Sequence, residues 1–99
     1  MLFAFMLFDA PGMAERRLEV RPEHKAYLGA VAERMAFAGP LLDEAGAMSG
    51  SLLVIDFADR AAALAWLLAE PFTRAGVYAT QEVHAFRNLW PQKTGFPES

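Results

Sequence analysis

The sequence contains no cysteine and only two histidines among its 99 residues. The lack of cysteine excludes disulfides, thiolate chemistry, and thiolate-bound zinc or iron–sulfur centres. The two histidines, His24 and His84, do not have the spacing of a metal site, and no glycine-rich phosphate-binding loop is present. We therefore predict a protein that needs neither a metal ion nor an organic cofactor.

A surplus of basic residues is also missing. The chain has nine Lys and Arg against twelve Asp and Glu, a formal net charge of −3, whereas nucleic-acid-binding domains usually carry a basic surplus on one face. The apolar run Met1–Phe8 is too short to cross a bilayer and lacks the basic leader of a signal peptide. We expect no nucleic-acid or membrane partner, and predict a soluble, cytoplasmic protein.

Apolar residues, in contrast, are abundant. They make up 55% of the chain, compared with about 45–50% in ordinary globular domains. The length predicts a single domain, 1–99, whose core is modest because small domains bury a smaller share of their surface. The surplus is a first indication that apolar surface is buried against a partner.

Four segments have the patterns of strands. Leu2–Phe8 and Ser51–Phe57 are apolar on both faces, which is typical of strands in the middle of a covered sheet. Leu41–Leu42 follows Pro40, which cannot donate a ladder hydrogen bond, so this short strand is expected at a sheet edge. Thr80–Phe86 alternates apolar and polar residues, as edge strands do.

Two helical regions separate these strands. The first is predicted as a short turn, Ala14–Leu18, followed by a main helix from about Pro22 to Phe37, because proline is accepted in the first turn of a helix but not in its interior. The second, Arg60–Ala69, has Asp59 as its N-cap. Residues 88–99 are predicted to form a C-terminal tail.

The resulting order, β-α-β-β-α-β, predicts the ferredoxin-like α+β fold: an antiparallel four-stranded sheet with two helices on one face. This plan puts the first and third strands in the centre, which agrees with their two apolar faces. The face without helices would be a larger exposed apolar patch than monomers usually tolerate. We therefore predict a homodimer that packs through this sheet face.

A set of short motifs resembles the YCII-related family. In chain order they are Arg17, Arg21-Pro22-x-His24, Ala38-Gly39-Pro40, Gly50-Ser51, and Pro71-Phe72 with Ala75-Gly76-Val77-Tyr78. The resemblance runs over about residues 1–90. It implies a dimeric α+β barrel with pockets between helix and sheet, and a small-molecule enzyme. One branch of that family resembles dehydrochlorinases of chlorinated hydroxyquinols.

The resemblance also implies two site residues. The family histidine, taken as the active-site residue, matches His24. The aspartate of the family's Asp-Pro-aromatic motif matches Glu70, a carboxylate that is one methylene longer.

The residues themselves leave two interpretations of His24 open. It lies one turn before Leu28 on the apolar face of its helix, so it is either an acid–base group or a histidine that ties helix to sheet. Its expected place near the helix start favours the neutral imidazole. Glu70, expected at the C-terminal end of the second helix, either pairs with a cation such as His24 or is solvated. Asp43 is the other possible partner of His24, or a turn residue.

Three further residues are candidates for substrate binding. Arg17 and Arg21, one turn apart, either hold an anionic substrate bidentately or belong to a solvated charged face. Ser51, at the start of a central strand, either hydrogen-bonds the substrate or is a strand-end hydroxyl.

These candidates predict a small-molecule enzyme of the lyase or isomerase type, with His24 as the general acid or base and Glu70 or Asp43 orienting it. Two alternatives stay open. One is a non-catalytic ligand-binding or accessory dimer, and the other is a cofactor-free, monooxygenase-like member of the same superfamily. The sequence does not identify the substrate.

Overall fold

A computed structural model describes residues 1–90, which form a four-stranded antiparallel sheet in the order β2-β3-β1-β4. The strands are β1 (Leu2–Asp9), β2 (Met35–Leu42), β3 (Met48–Asp56) and β4 (Tyr78–Phe86). The helices are α1 (Ala14–Gly29), α2 (Arg60–Ala69) and the short α3 (Pro71–Arg74). The predicted ferredoxin-like α+β class is confirmed, with β1 and β3 in the centre of the sheet.

The core lies between one face of the sheet and the helices. Alternate side chains of the two central strands point into it and are buried, namely Phe3, Phe5, Leu7, Leu53 and Ile55. Ala63 and Leu67 of α2 pack against this cluster. Since burial of a large apolar side chain contributes about 1.5–3 kcal/mol, these residues fix which face of the sheet meets the helices.

The opposite face of the sheet is also apolar. Ala4, Met6 and Phe8 point to it from β1, because successive side chains of a strand alternate between faces. Four large apolar side chains on this face remain substantially exposed: Met6, Phe8, Phe37 and Phe86. The homodimer expected to cover this surface stays a prediction.

Helix α1 is continuous, so the predicted break at Pro22 is wrong. The helix runs through Pro22 from Ala14 to Gly29. A proline at this position removes one N–H and leaves the carbonyl of Leu18 without its usual partner. Leu18 and Pro22 are both exposed, so water can satisfy that carbonyl and the helix continues.

Strand β2 is longer than predicted, and α1 is correspondingly shorter. The helix ends at Gly29 rather than Phe37, and Met35–Leu42 form a strand where only Leu41–Leu42 were expected. The stretch Met35-Ala36-Phe37-Ala38 has no β-branched residue, so its pattern fits a helix as well as a strand. Pairing with β3 decides the outcome in favour of the strand.

The remaining boundaries are closer to expectation. Strands β3 and β4 begin three and two residues earlier than predicted. The second helix has its predicted bounds, and its N-cap Asp59 accepts a hydrogen bond from the backbone N–H of Ala62. Of the predicted tail 88–99, residues 91–99 lie outside the described residues. Within residues 1–90, no helix is long and apolar enough to cross a membrane.

Candidate active site

A cavity of about 270 Å³ opens between α1 and the β2–β3 side of the sheet. Its helix wall consists of residues from successive turns of α1, at positions 17, 21, 24 and 25, and 28, which lie on one side of the helix. These are Arg17, Arg21, His24, Lys25 and Leu28. The sheet wall includes Ala38, Gly39, Pro40, Met48, Ser51 and Leu53. The cavity therefore joins a largely basic helix face to a mostly apolar sheet wall.

His24 is buried and paired with Glu70. Its Nδ1 lies 2.5 Å from Oε1 of Glu70, a residue with no exposed surface. Pro71 ends α2 and begins α3, because proline disfavours the helical conformation of the residue before it but fits the first helical position. Glu70 consequently caps α3, and its Oε1 also accepts a hydrogen bond from the backbone N–H of Phe72 at 3.1 Å.

This position of Glu70 differs from the sequence expectation. We expected a carboxylate at the unfavourable end of one helix, whereas Glu70 is also the N-cap of the next helix, which supplies a backbone donor. Its second oxygen, Oε2, is buried and has no hydrogen-bond partner among the described residues.

The imidazole of His24 is held in orientation as well as in position. It stacks on the ring of Phe72 with the ring centroids 3.9 Å apart and the planes inclined by 12°. Because Nδ1 contacts Glu70, the nitrogen that remains for a ligand is Nε2, which has no partner within residues 1–90. An imidazole held by a carboxylate through one nitrogen can exchange a proton through the other.

The expected helix-start position of His24 is wrong. His24 is the eleventh of the sixteen residues of α1, and the effect of the helix dipole is confined to the first and last turns. The dipole of α1 therefore does not act on the imidazole, whose direct charged contact is Glu70.

Arg17 is buried in a network of protein acceptors. Its Nη1 donates to both carboxylate oxygens of Asp9, at 2.8 and 3.1 Å, and its Nη2 donates to the carbonyl of Gly50 and to Oγ of Ser51, both at 3.0 Å. Burial raises the pKa of Asp9, although the charge of Arg17 opposes this shift. The Nη donors of Arg17 are thus committed to the protein, and a bidentate contact of Arg17 with a substrate would have to break them.

The Gly50-Ser51 motif lies on β3, where it pairs with Leu7 and Phe8 of β1. A Cβ atom at Gly50 would overlap the carbonyl oxygen of Leu7, so only glycine fits there. Ser51 is buried beside it, and its Oγ lies 3.0 Å from the hydroxyl of Tyr78. Burial, and secondarily the charge of Glu70, raises the pKa of Tyr78 above its ordinary range. Tyr78 therefore carries its proton at neutral pH.

Asp43 lies apart from this arrangement. It is exposed in the turn between β2 and β3, where its Oδ1 accepts hydrogen bonds from the backbone N–H groups of Ala45 and Ala47. Such local bonds are the usual reason for aspartate in turns. Of the two possible partners of His24, the structure places Glu70 beside it. Asp43 is a turn residue, which was the other interpretation of its position.

Arg21 and Lys25 are the exposed basic residues of the cavity wall. The ion pairs found within residues 1–90 involve neither of them.

Lys25 was not predicted as a site residue, although its place one turn after Arg21 is a signal for it. Tyr78 was also missed, although it belongs to the last of the family-like motifs. Across the described residues, no group of three His, Cys, Asp or Glu side chains gathers as a metal site would require.

Comparison with known proteins supports one family. The sequence matches the model of the YCII-related domain over residues 1–87. Protein YciI from Escherichia coli O6:H1 is 34% identical over 98 residues, which covers 91% of this chain and all of that protein. An uncharacterized protein from Haemophilus influenzae is 33% identical over 99 residues, with the same coverage.

One solved structure is similar over nearly the whole fold. It is the 5-chloro-2-hydroxyhydroquinone dehydrochlorinase from Burkholderia phenoliruptrix AC1100 in complex with 2,5-dihydroxybenzoquinone. The TM-score is 0.83 at 27% sequence identity, with 88% of this chain and 94% of that chain covered. The similarity therefore extends to an enzyme whose name describes the removal of hydrogen chloride.

Proposed function

This chain belongs to the YCII-related family. From that premise we propose that it is an enzyme of the lyase type, in which the His24–Glu70 pair moves a proton on a small molecule bound in the cavity. One observation carries the proposal: the Nδ1 of a cavity-lining histidine lies 2.5 Å from the carboxylate of a wholly buried glutamate. The similarity to a dehydrochlorinase supports the reaction class.

In this proposal Glu70 acts on the substrate through His24. Its Oε1 accepts the hydrogen of Nδ1, which places the lone pair of the neutral imidazole on Nε2. For a chlorinated hydroxyhydroquinone the reacting form is the keto tautomer, in which the chlorine-bearing carbon is sp³ and already carries a hydrogen. Nε2 takes the proton of a hydroxyl group, the electrons of that O–H bond form a new carbon–oxygen double bond, the adjacent ring double bond shifts to the chlorine-bearing carbon, and chloride departs with its own bonding pair. The elimination is redox-neutral, and the imidazolium that forms is stabilised by the carboxylate of Glu70.

The unpaired oxygen of Glu70 favours this role over a purely structural one. A buried polar atom without a partner costs about 1–3 kcal/mol, and Oε2 of Glu70 is such an atom within residues 1–90. If the pair served only to hold α1 against α3, two apolar side chains, or two polar ones with every hydrogen bond made, would be more stable. Functional sites, in contrast, often retain buried charges at a cost to stability.

We propose an anionic or phenolic small molecule with a planar body as the substrate. The exposed cations Arg21 and Lys25 favour a negative charge at the cavity mouth. The apolar side chains of Leu28 and Leu53 are suited to the carbon skeleton. The 2,5-dihydroxybenzoquinone bound by the similar dehydrochlorinase combines a planar carbon ring with acidic hydroxyl groups.

Chloride release from 5-chloro-2-hydroxyhydroquinone tests the proposal. We expect the purified protein to release chloride faster than buffer does, with one chloride for each molecule of hydroxyquinone formed. Binding of the compound without faster chloride release would contradict the lyase proposal and indicate the ligand-binding dimer. Consumption of oxygen during turnover would indicate the monooxygenase-like alternative.

A further inference from the structure

The hydroxyl of Ser51 has two neighbours that set the direction of its hydrogen. Nη2 of Arg17 lies 3.0 Å from Ser51 Oγ, and the hydroxyl of Tyr78 lies 3.0 Å from the same atom. The guanidinium can only donate, since it has no acceptor atom. One lone pair of Ser51 Oγ is therefore occupied by Arg17.

By distance alone either hydroxyl could donate in the second contact, and the surroundings of Tyr78 favour Tyr78 as the donor. Its phenol keeps its hydrogen at neutral pH, because burial strengthens its hold on the proton and so raises its pKa. Among the described residues, Ser51 Oγ is the acceptor that lies within reach of this hydroxyl. Tyr78 is partly buried, and leaving its phenolic hydrogen without an acceptor would be unfavourable. We therefore assign Tyr78 as the donor to Ser51, which fills the second lone pair.

The hydroxyl hydrogen of Ser51 is then left over. A serine hydroxyl has two acceptor lone pairs and one hydrogen, and both lone pairs are occupied. No acceptor for this hydrogen is found in residues 1–90, and Ser51 belongs to the wall of the cavity. The direction that remains for the hydrogen is into the cavity.

We infer that Ser51 donates a hydrogen bond to the ligand of this cavity, that the ligand therefore presents a carbonyl or phenolate oxygen to the sheet wall, and that Tyr78 is a positioning residue acting through Ser51. The inference rests on the proposed function in taking the cavity as the substrate site. It identifies the Ser51 hydroxyl as the group that recognises the substrate oxygen, and Tyr78 as the residue that orients this hydroxyl.

The same arrangement suits the proposed elimination. Negative charge that develops on a substrate oxygen is stabilised best by donors fixed in advance. Ser51 is fixed by two donors, and one of them, Arg17, is a cation held by Asp9. A compound that lacks the oxygen would leave the Ser51 hydrogen unpaired, which is a strong basis for rejecting it.

Binding of 2,5-dihydroxybenzoquinone, measured by calorimetry, tests the inference. We expect Ser51→Ala to weaken binding by about 10- to 100-fold, the usual effect of losing a hydrogen bond to a charged group. Ser51→Thr keeps the hydroxyl and is the matched control. If wild-type protein does not bind the quinone, or if Ser51→Ala binds it as tightly as wild type, the inference is wrong.

A double-mutant cycle tests the part assigned to Tyr78. Tyr78→Phe keeps the ring and frees one lone pair of Ser51, so its hydrogen can turn away from the ligand, and binding should weaken severalfold. In a Ser51→Ala background the same change should have no further effect, because Tyr78 then has nothing to orient. An equal effect in both backgrounds would show that Tyr78 has a merely structural role. If Ser51→Ala does not fold, an unchanged affinity of Tyr78→Phe overturns the inference.

His24→Gln separates this inference from the proposed function. The variant should lose turnover, while Ser51→Ala should weaken quinone binding by the same factor in the His24→Gln background as in wild type. If Ser51→Ala weakens binding but His24→Gln keeps full turnover, the proposed function fails and the inference about Ser51 stands.

Discussion

Nδ1 of His24 and Oε1 of Glu70 lie 2.5 Å apart, although the two residues are 46 positions apart in the sequence. The contact is buried, and it joins the middle of α1 to the junction of α2 and α3. Removing either partner leaves the other buried without its hydrogen bond and alters the packing between these elements.

The first prediction concerns the coupling of this pair. Glu70→Gln should lower turnover because a neutral amide stabilises the imidazolium less than a carboxylate does. Combined with His24→Gln, it should add little further loss, since both groups serve one proton transfer. Turnover numbers of wild type, the two single variants and the double variant provide the test. Losses that multiply across the two variants would mean that the residues act independently.

The second prediction concerns the close approach of β3 to β1. Gly50→Ala should lower stability by about 1–3 kcal/mol, because its Cβ would overlap the carbonyl oxygen of Leu7 and the strands would have to separate. Gly39→Ala is the matched control, since nothing lies within 4 Å of a Cβ there. Urea unfolding of both variants decides the matter, and equal stabilities would contradict the prediction.

The third prediction concerns the open sheet face. We propose that two copies of the chain pack through it, so sedimentation equilibrium should give twice the 10.9 kDa chain mass. Met6→Glu or Leu52→Glu should give monomers or insoluble protein, because the charge would be buried without a partner. Leu18→Glu is the control, as Leu18 is 59% exposed on α1. A wild-type protein that is monomeric at micromolar concentration would refute the dimer.

The fourth prediction concerns the two tyrosines. Burial, together with the negative charge of Glu70, raises the pKa of Tyr27 and more strongly that of Tyr78. The folded state therefore favours the protonated phenols. Their contribution to stability is complete below the ordinary tyrosine pKa of about 10 and is lost as the pH rises above it.

An ultraviolet absorbance titration checks this prediction. In the folded protein, tyrosine ionisation should be delayed beyond the range seen in urea, and Tyr78→Phe should remove the later part of the change. Ionisation of both tyrosines at the ordinary pH in the folded protein would contradict the buried setting of Tyr78.

The sequence predicted the centre of the sheet well and its β2 edge poorly. The central strands are apolar on both faces, and in a short segment bounded by turn residues this pattern is typical of a strand covered on both sides. The segment from Met35 to Ala38 has no such signature, so only its pairing with β3 determines that it is a strand. The sequence also could not show which face of β1 meets the helices, which the burial of Phe5 and the exposure of Met6 decide.

The sequence indicated the candidate residues one by one but not their arrangement. The helical face of His24 and the family-like motifs indicated His24 and Glu70. The burial of Arg17 could not be predicted, because its partner Asp9 lies at the end of β1 and its other acceptors lie on β3. The role proposed for Tyr78 depends on a contact with Ser51 across 27 residues, and local patterns do not reveal such contacts.

The most direct test of the central claim is the turnover of His24→Gln relative to wild type, measured as chloride release from 5-chloro-2-hydroxyhydroquinone alongside the melting temperature of each protein. Glutamine keeps a hydrogen-bonding group but cannot take up the proton. We predict a folded variant whose turnover falls by about 10²–10⁴-fold, the usual contribution of a positioned acid or base. A variant that melts well below wild type yet keeps full turnover would contradict the claim and make His24 a structural tie between α1 and α3.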